Sequence, residues 1–153
     1  NDVDVLADFT AESLTRFLAG LPGDYYADRD EATQALQFGR PFNVIYMPTA
    51  FKFDFFPAGT FPLGSAELDR AVVIHDTGLS NGPVPFVSPE DILLAKLDWF
   101  RAGGEVSEVQ WRDILGLVRA SQDRMDIGYL EHSAAVLGVG RLLRRALSEA
   151  DLG

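Results

Sequence analysis

Phe51-Lys52-Phe53-Asp54-Phe55-Phe56 alternates an aromatic ring with a charge for four residues and then ends in two aromatics. A two-residue period of this kind, rich in aromatic side chains, predicts a β-strand. Residues two apart in a strand share a face and stand about 7 Å apart. Lys52, Asp54 and Phe56 therefore lie on one face, with Phe51, Phe53 and Phe55 on the other. A carboxylate in an otherwise aromatic strand is expensive unless something compensates its charge. Just upstream, Phe42–Met47 has the same aromatic and β-branched character, and only Pro48-Thr49-Ala50 separates the two. They read as neighbouring antiparallel strands.

Working outward, Asp2-Val3-Asp4-Val5 repeats the alternation with acids on one side and valines on the other. Thr10 can cap a helix running to about Leu21, with Glu12 in its first turn and Pro22-Gly23 after its end. A brief strand at Tyr25–Ala27, a helix near Glu31–Phe38, a turn-like stretch at Pro57–Ser65, a strand at Ala71–Ile74 and a loop at Asn81-Gly82-Pro83 complete this half. From Ser88 onward the pattern is helical. Ser88-Pro89-Glu90-Asp91 joins an N-cap, a first-turn proline and early acids, and opens a helix to Arg101 that Gly103-Gly104 ends. Ser107 with Gln110 reads as a capping box opening a helix to about Ala120. Helices near Ile127–Leu137 and Arg141–Glu149 follow, divided by Gly138-Val139-Gly140. The expected fold is α+β: a sheet-containing half, 1–87, and a helical half, 88–153, joined as one domain because either half alone has a thin core.

The chain has 153 residues, enough for one ordinary domain with a core of its own. Its 23 acids against 13 bases give a formal charge of −10, which argues against a protein that grips a long stretch of nucleic-acid backbone. Zero cysteines exclude disulfides and thiolate metal sites. No stretch approaches the apolar length of a membrane span, and Asn1-Asp2-Val3-Asp4 has no secretory-signal character. A cytoplasmic protein without a membrane partner is expected.

Several residues could carry chemistry. Asp2, Asp4 and Asp54, on neighbouring strands, suit one or two hard cations such as Mg²⁺, which prefer carboxylate oxygens. Alternatively, the first two are solvated acids near the terminus and Asp54 faces water across an edge strand. On the helix after Ser88, Lys96 falls within the apolar arc of Ile92, Trp99 and Phe100; it either snorkels outward or meets an anion. Asp113 lies beside Val109, Gly116 and Ala120, where it either serves a close approach or makes a salt bridge with Arg112 or Lys96. His75 and His132 lack partners at metal-binding spacing. No phosphate loop, dinucleotide fingerprint or nucleophile elbow is present.

These pieces, in this order, resemble the nucleotidyltransferase superfamily, in its small AbiEii-like (MenA-type) branch associated with toxins and antitoxins. Asp2-Val3-Asp4 looks like that family's acid-x-acid strand and Lys52-Phe53-Asp54 like its later basic-x-acidic strand. Ser88–Arg101 with Lys96-Leu97, then Trp111-Arg112-Asp113-Ile114-Leu115, look like its helical signature, so the similarity spans most of the chain. The resemblance implies a mixed sheet flanked by helices with a helical C-terminal part. It implies Mg²⁺-dependent transfer of a nucleotide from a nucleoside triphosphate to a hydroxyl on RNA or protein. Asp2, Asp4 and Asp54 would be catalytic and hold the metal, in a possible two-metal site. Lys52, Lys96 and Asp113 would bind the nucleotide. A toxin or antitoxin partner is implied too, and with it the alternative of a non-catalytic relative acting as antitoxin or scaffold. The family carries a Gly-Ser or Gly-Gly turn upstream of its acid pair, which binds triphosphate. This sequence begins at the pair, so it is expected to be a shortened piece of a longer protein.

Overall fold

Acid–valine alternation at the start of the chain becomes strand β1 (Asp2–Ala7). The computed structural model describes residues 2–60, 62–75 and 82–151. Helix α1 (Ala11–Gly20) opens on a complete capping box, in which Thr10 and Ser13 each accept a hydrogen bond from the other's backbone N–H. Strand β2 (Tyr25–Tyr26) and helix α2 (Arg29–Phe38) follow; Asp28 caps α2, and Gly39 closes it in the left-handed conformation. Strands β3 (Phe42–Tyr46) and β4 (Phe51–Pro57) are antiparallel as their composition predicts. The four strands form one mixed sheet in the order β1-β4-β3-β2, with β1 parallel to β4.

One face of this sheet is the core of the first compact unit, Asn1–Asp69. Leu14, Leu18, Ala32 and Ala35 of α1 and α2 pack with Phe42 and Val44, and Phe53 and Phe55 join them. The rings of Phe42 and Phe55 stack with centroids 5.3 Å apart, and Phe17 meets Phe55 at 5.1 Å. The stretch after β4, expected to be turn-like, holds a 3-10 turn at Ala58–Thr60 and then helix α3 (Gly64–Asp69). Six residues are too few for a hydrophobic period to show in sequence.

The second unit is Arg70–Gly153. It begins with a separate two-stranded antiparallel ribbon, β5 (Val72–Ile74) with β6 (Val84–Phe86). Strand β6 was not expected, and it carries Pro85 at its centre. In a two-stranded ribbon both strands are edges, where a residue without an N–H is tolerated. Asn81 of the expected loop lies outside the described residues. Helices α4 (Pro89–Ala102), α5 (Glu108–Ser121), α6 (Ile127–Leu137) and α7 (Gly140–Asp151) complete the unit. Their shared core includes Leu93, Leu94, Leu97, Ile114, Leu130, Leu142 and Leu143, all nearly or wholly buried. Helices α5 and α7 are clasped at the edge of this core. The Trp111 indole N–H donates to Glu149 Oε2 at 2.8 Å, and Arg145 donates to the other oxygen at 2.7 Å while lying over the Trp111 ring. These two donors hold the Glu149 carboxyl below its usual range. The whole is mixed α+β with seven α-helices among the described residues, none of them long and apolar enough to cross a membrane.

Gly64 begins α3 against the preceding turn so closely that a Cβ there would lie 2.0 Å from the Ala58 carbonyl oxygen. Backbone cannot yield as a flexible side chain does. Gly64→Ala is therefore expected to lower stability in urea unfolding by about 1–3 kcal/mol. Gly59→Ala, whose added Cβ meets nothing within 4 Å, should leave it nearly unchanged.

Candidate functional site

The sheet face opposite α1 and α2 carries the polar residues of the alternating strands. Strand register aligns Asp4 with Asp54, and Asp54 with Asn43 on its other side. One row across β1, β4 and β3 therefore reads carboxylate, carboxylate, amide. The adjacent row is Asp2, Lys52 and Ile45. Neighbouring strands lie about 4.8 Å apart, so the residues of each row stand side by side on the sheet face. Four of the residues singled out from sequence, Asp2, Asp4, Lys52 and Asp54, thus share one face of two paired strands.

Asp54 is the least hydrated of the four, with a side chain 20% exposed. The Lys52 ammonium stands 3.3 Å from its Oδ1, and that oxygen is buried with no hydrogen-bond partner. Lysine thus supplies the compensating charge that the aromatic strand demands, without completing the hydrogen bonding. Among the described residues no three His, Asp or Glu side chains are gathered closely enough to hold a metal ion. The donor chemistry nevertheless fits a hard cation: aligned carboxylates on adjacent strands, with one oxygen left unsatisfied.

The remaining residues expected to bind nucleotide lie in the second unit. Lys96 on α4 and Asp113 on α5 meet each other, Nζ to Oδ2, at 3.9 Å. Of the alternatives weighed for Asp113, the salt bridge to Lys96 is the one formed. Both groups are substantially exposed, and such a pair contributes at most about 1 kcal/mol. His75 and His132 are exposed.

A second polar cluster was not expected from sequence. Asp91 is 0% and Glu90 7% exposed, both in the first turn of α4. The Ser88 hydroxyl donates to Asp91 Oδ2 at 2.5 Å, and the Tyr129 phenol of α6 donates to Oδ1 at 2.6 Å. Glu90 Oε1 accepts the backbone N–H of Asp126 at 2.9 Å. Arg70 lies with its guanidinium 3.6 Å from the Tyr129 ring centroid, its Nε 3.6 Å from Asp91 Oδ2 and its Nη2 3.9 Å from Glu90 Oε1. Early acids in a helix are ordinary dipole partners, so nothing local in Ser88-Pro89-Glu90-Asp91 distinguishes a buried pair from a solvated one. The available signal was two adjacent acids leading directly into the apolar Ile92-Leu93-Leu94.

Burial first, and then the hydrogen bond to Asp91, push the Tyr129 phenol up to about 12 from 10.0. A raised pKa contributes stability that is whole below pH 10 and is lost as pH rises through 12. In an alkaline titration followed by phenolate absorbance, a phase near pH 12 should belong to Tyr129 and vanish in Tyr129→Phe. At the sheet, Lys52→Met leaves a buried carboxylate oxygen without its counter-charge and should cost about 1–3 kcal/mol. Adding Asp54→Asn should recover most of that loss in a double-mutant cycle of unfolding free energies.

Compared with known proteins, the chain matches no family model, no curated protein and no solved structure.

Proposed function

We propose that the first unit is a nucleotidyltransferase-like active unit, transferring a nucleotide from a nucleoside triphosphate to a hydroxyl on RNA or protein. The observation that carries this reading is the parallel register of β1 and β4. It aligns Asp4 with Asp54 and Asp2 with Lys52 on one sheet face. Of the expected ligands Asp2, Asp4 and Asp54, the register aligns Asp4 with Asp54, and this pair would hold Mg²⁺, which when bound neutralises the triphosphate and fixes its geometry. In the reaction, the acceptor hydroxyl oxygen forms a bond to the α-phosphorus while the bond from that phosphorus to the bridging oxygen breaks, releasing pyrophosphate. Asp54 accepts the hydroxyl proton, a role suited to a carboxylate with an oxygen that no hydrogen bond engages. Lys52, already beside Asp54, supplies positive charge to the phosphates. Lys96 and Asp113 belong to the other unit, and the proposal rests on the sheet residues alone.

The Lys52–Asp54 ion pair and the lack of a three-carboxylate cluster among the described residues favour a second reading: a non-catalytic relative acting as antitoxin or scaffold. Thermal unfolding of the full-length protein separates the two. Catalysis predicts that Mg²⁺ with one of the four nucleoside triphosphates raises the melting temperature, since ligand at 100 times its dissociation constant adds about 2.7 kcal/mol. It also predicts label transfer from an α-labelled nucleotide, abolished by Asp54→Asn in a chain that still folds. No shift with any of the four would leave the non-catalytic reading.

A further inference from the structure

Val72 and Ile74 of β5 share a ribbon face with Phe86 of β6, because Val72 pairs with Phe86 and Ile74 with Val84. All three are exposed, at 48%, 44% and 39%. Together with Met125 they form the apolar wall of a cleft of about 600 Å³, within the size range of small-molecule sites. Arg70, Glu90 and Arg124 also line it. Every one of these residues belongs to the second unit.

Arg70 is held in place while its Nε makes no hydrogen bond. The Tyr129 ring stacks on its guanidinium, and Asp91 and Glu90 face it at 3.6 and 3.9 Å, beyond hydrogen-bonding distance. Both oxygens of Asp91 already accept hydroxyl hydrogens, from Ser88 and Tyr129, and Glu90 Oε1 accepts the Asp126 N–H. Arg70 Nε is buried with no hydrogen-bond partner, while the side chain as a whole is 32% exposed. A guanidinium oriented by charge and by an aromatic face, with its Nε left without a hydrogen bond, suits a carboxylate. The apolar wall suits a hydrocarbon body attached to it. Glu90 in the same lining disfavours a ligand with several negative charges.

We propose that this cleft binds a small monocarboxylate with an apolar body, the carboxylate on Arg70 and the body against Val72, Ile74 and Phe86. The site is independent of nucleotidyl transfer.

Methyl-detected NMR titration of the whole protein with naphthoate, and with uncharged naphthamide as its isostere, tests this. Naphthoate should saturate at submillimolar concentration and shift the methyls of Val72, Ile74 and Met125. Naphthamide should bind weaker by about tenfold or more. Arg70→Gln should erase that preference, Ile74→Glu should abolish binding of both, and inorganic tripolyphosphate should not displace naphthoate. Failure to saturate, equal affinity for acid and amide, shifts confined to other methyls, or displacement by tripolyphosphate would each overturn the proposal. The comparison of acid with amide uses the unaltered chain, so it decides the matter even where Arg70→Gln unfolds the unit.

Discussion

Strand β4 has both neighbours and both faces committed at once. Its backbone pairs with β1 on one side and β3 on the other, so it is central and has no free edge. Its odd-numbered rings, Phe53 and Phe55, enter the core under α1 and α2, while Lys52 and Asp54 occupy the opposite face. A register slip by one residue would send the rings outward and the charges into the core, so the register is strongly specified. The alignment of Asp4 with Asp54 is a consequence. Packing on one side of the sheet determines which charged residues meet on the other.

The second unit depends on a different device. Asp91 is fully buried at the start of α4, and it accepts from Ser88, which caps that helix, and from Tyr129 of α6. Glu90 accepts from the backbone just before α6. Two adjacent acids thus anchor the N-terminus of one helix to that of another, and Arg70 balances part of their charge from just ahead of β5. Removing a partner from such a network leaves a buried charge uncompensated, which is more disruptive than losing an apolar contact.

What could be read from sequence divides along physical lines. Alternation in β1 and β4, the caps at Thr10 and Ser88, and the stop at Gly103 are local signals, and the corresponding elements formed near the expected positions. The acidic face of the sheet was legible for the same reason, since alternation alone puts Asp2 with Asp4 and Lys52 with Asp54. Strand β6, with three residues, and α3, with six, were hidden by their brevity. The Asp91 cluster was hidden by distance along the chain: Tyr129 is 38 residues from the acid it satisfies. No period or spacing encodes a partner that arrives through packing of helices.

Asp54 and Asp91, one partly and one wholly buried, differ in how fully they are satisfied. Asp91 has both oxygens engaged by hydroxyl donors at short distance, and its remaining neighbour is a cation. These bonds tie the start of α4 to α6, so its role is to hold structure. Asp54 is compensated in charge by Lys52 but keeps an oxygen without a hydrogen bond. An unmet acceptor in a half-buried setting raises the free energy of the folded state, and a hydrogen-bond donor or cation that arrives there recovers part of that energy. Arg70 presents the same imbalance from the donor side: its charge is answered by Glu90 and Asp91 while Nε is left unpaired. Charge balance without hydrogen-bond balance separates Asp54 and Arg70 from a pair such as Arg145 with Glu149, where the same contact supplies both.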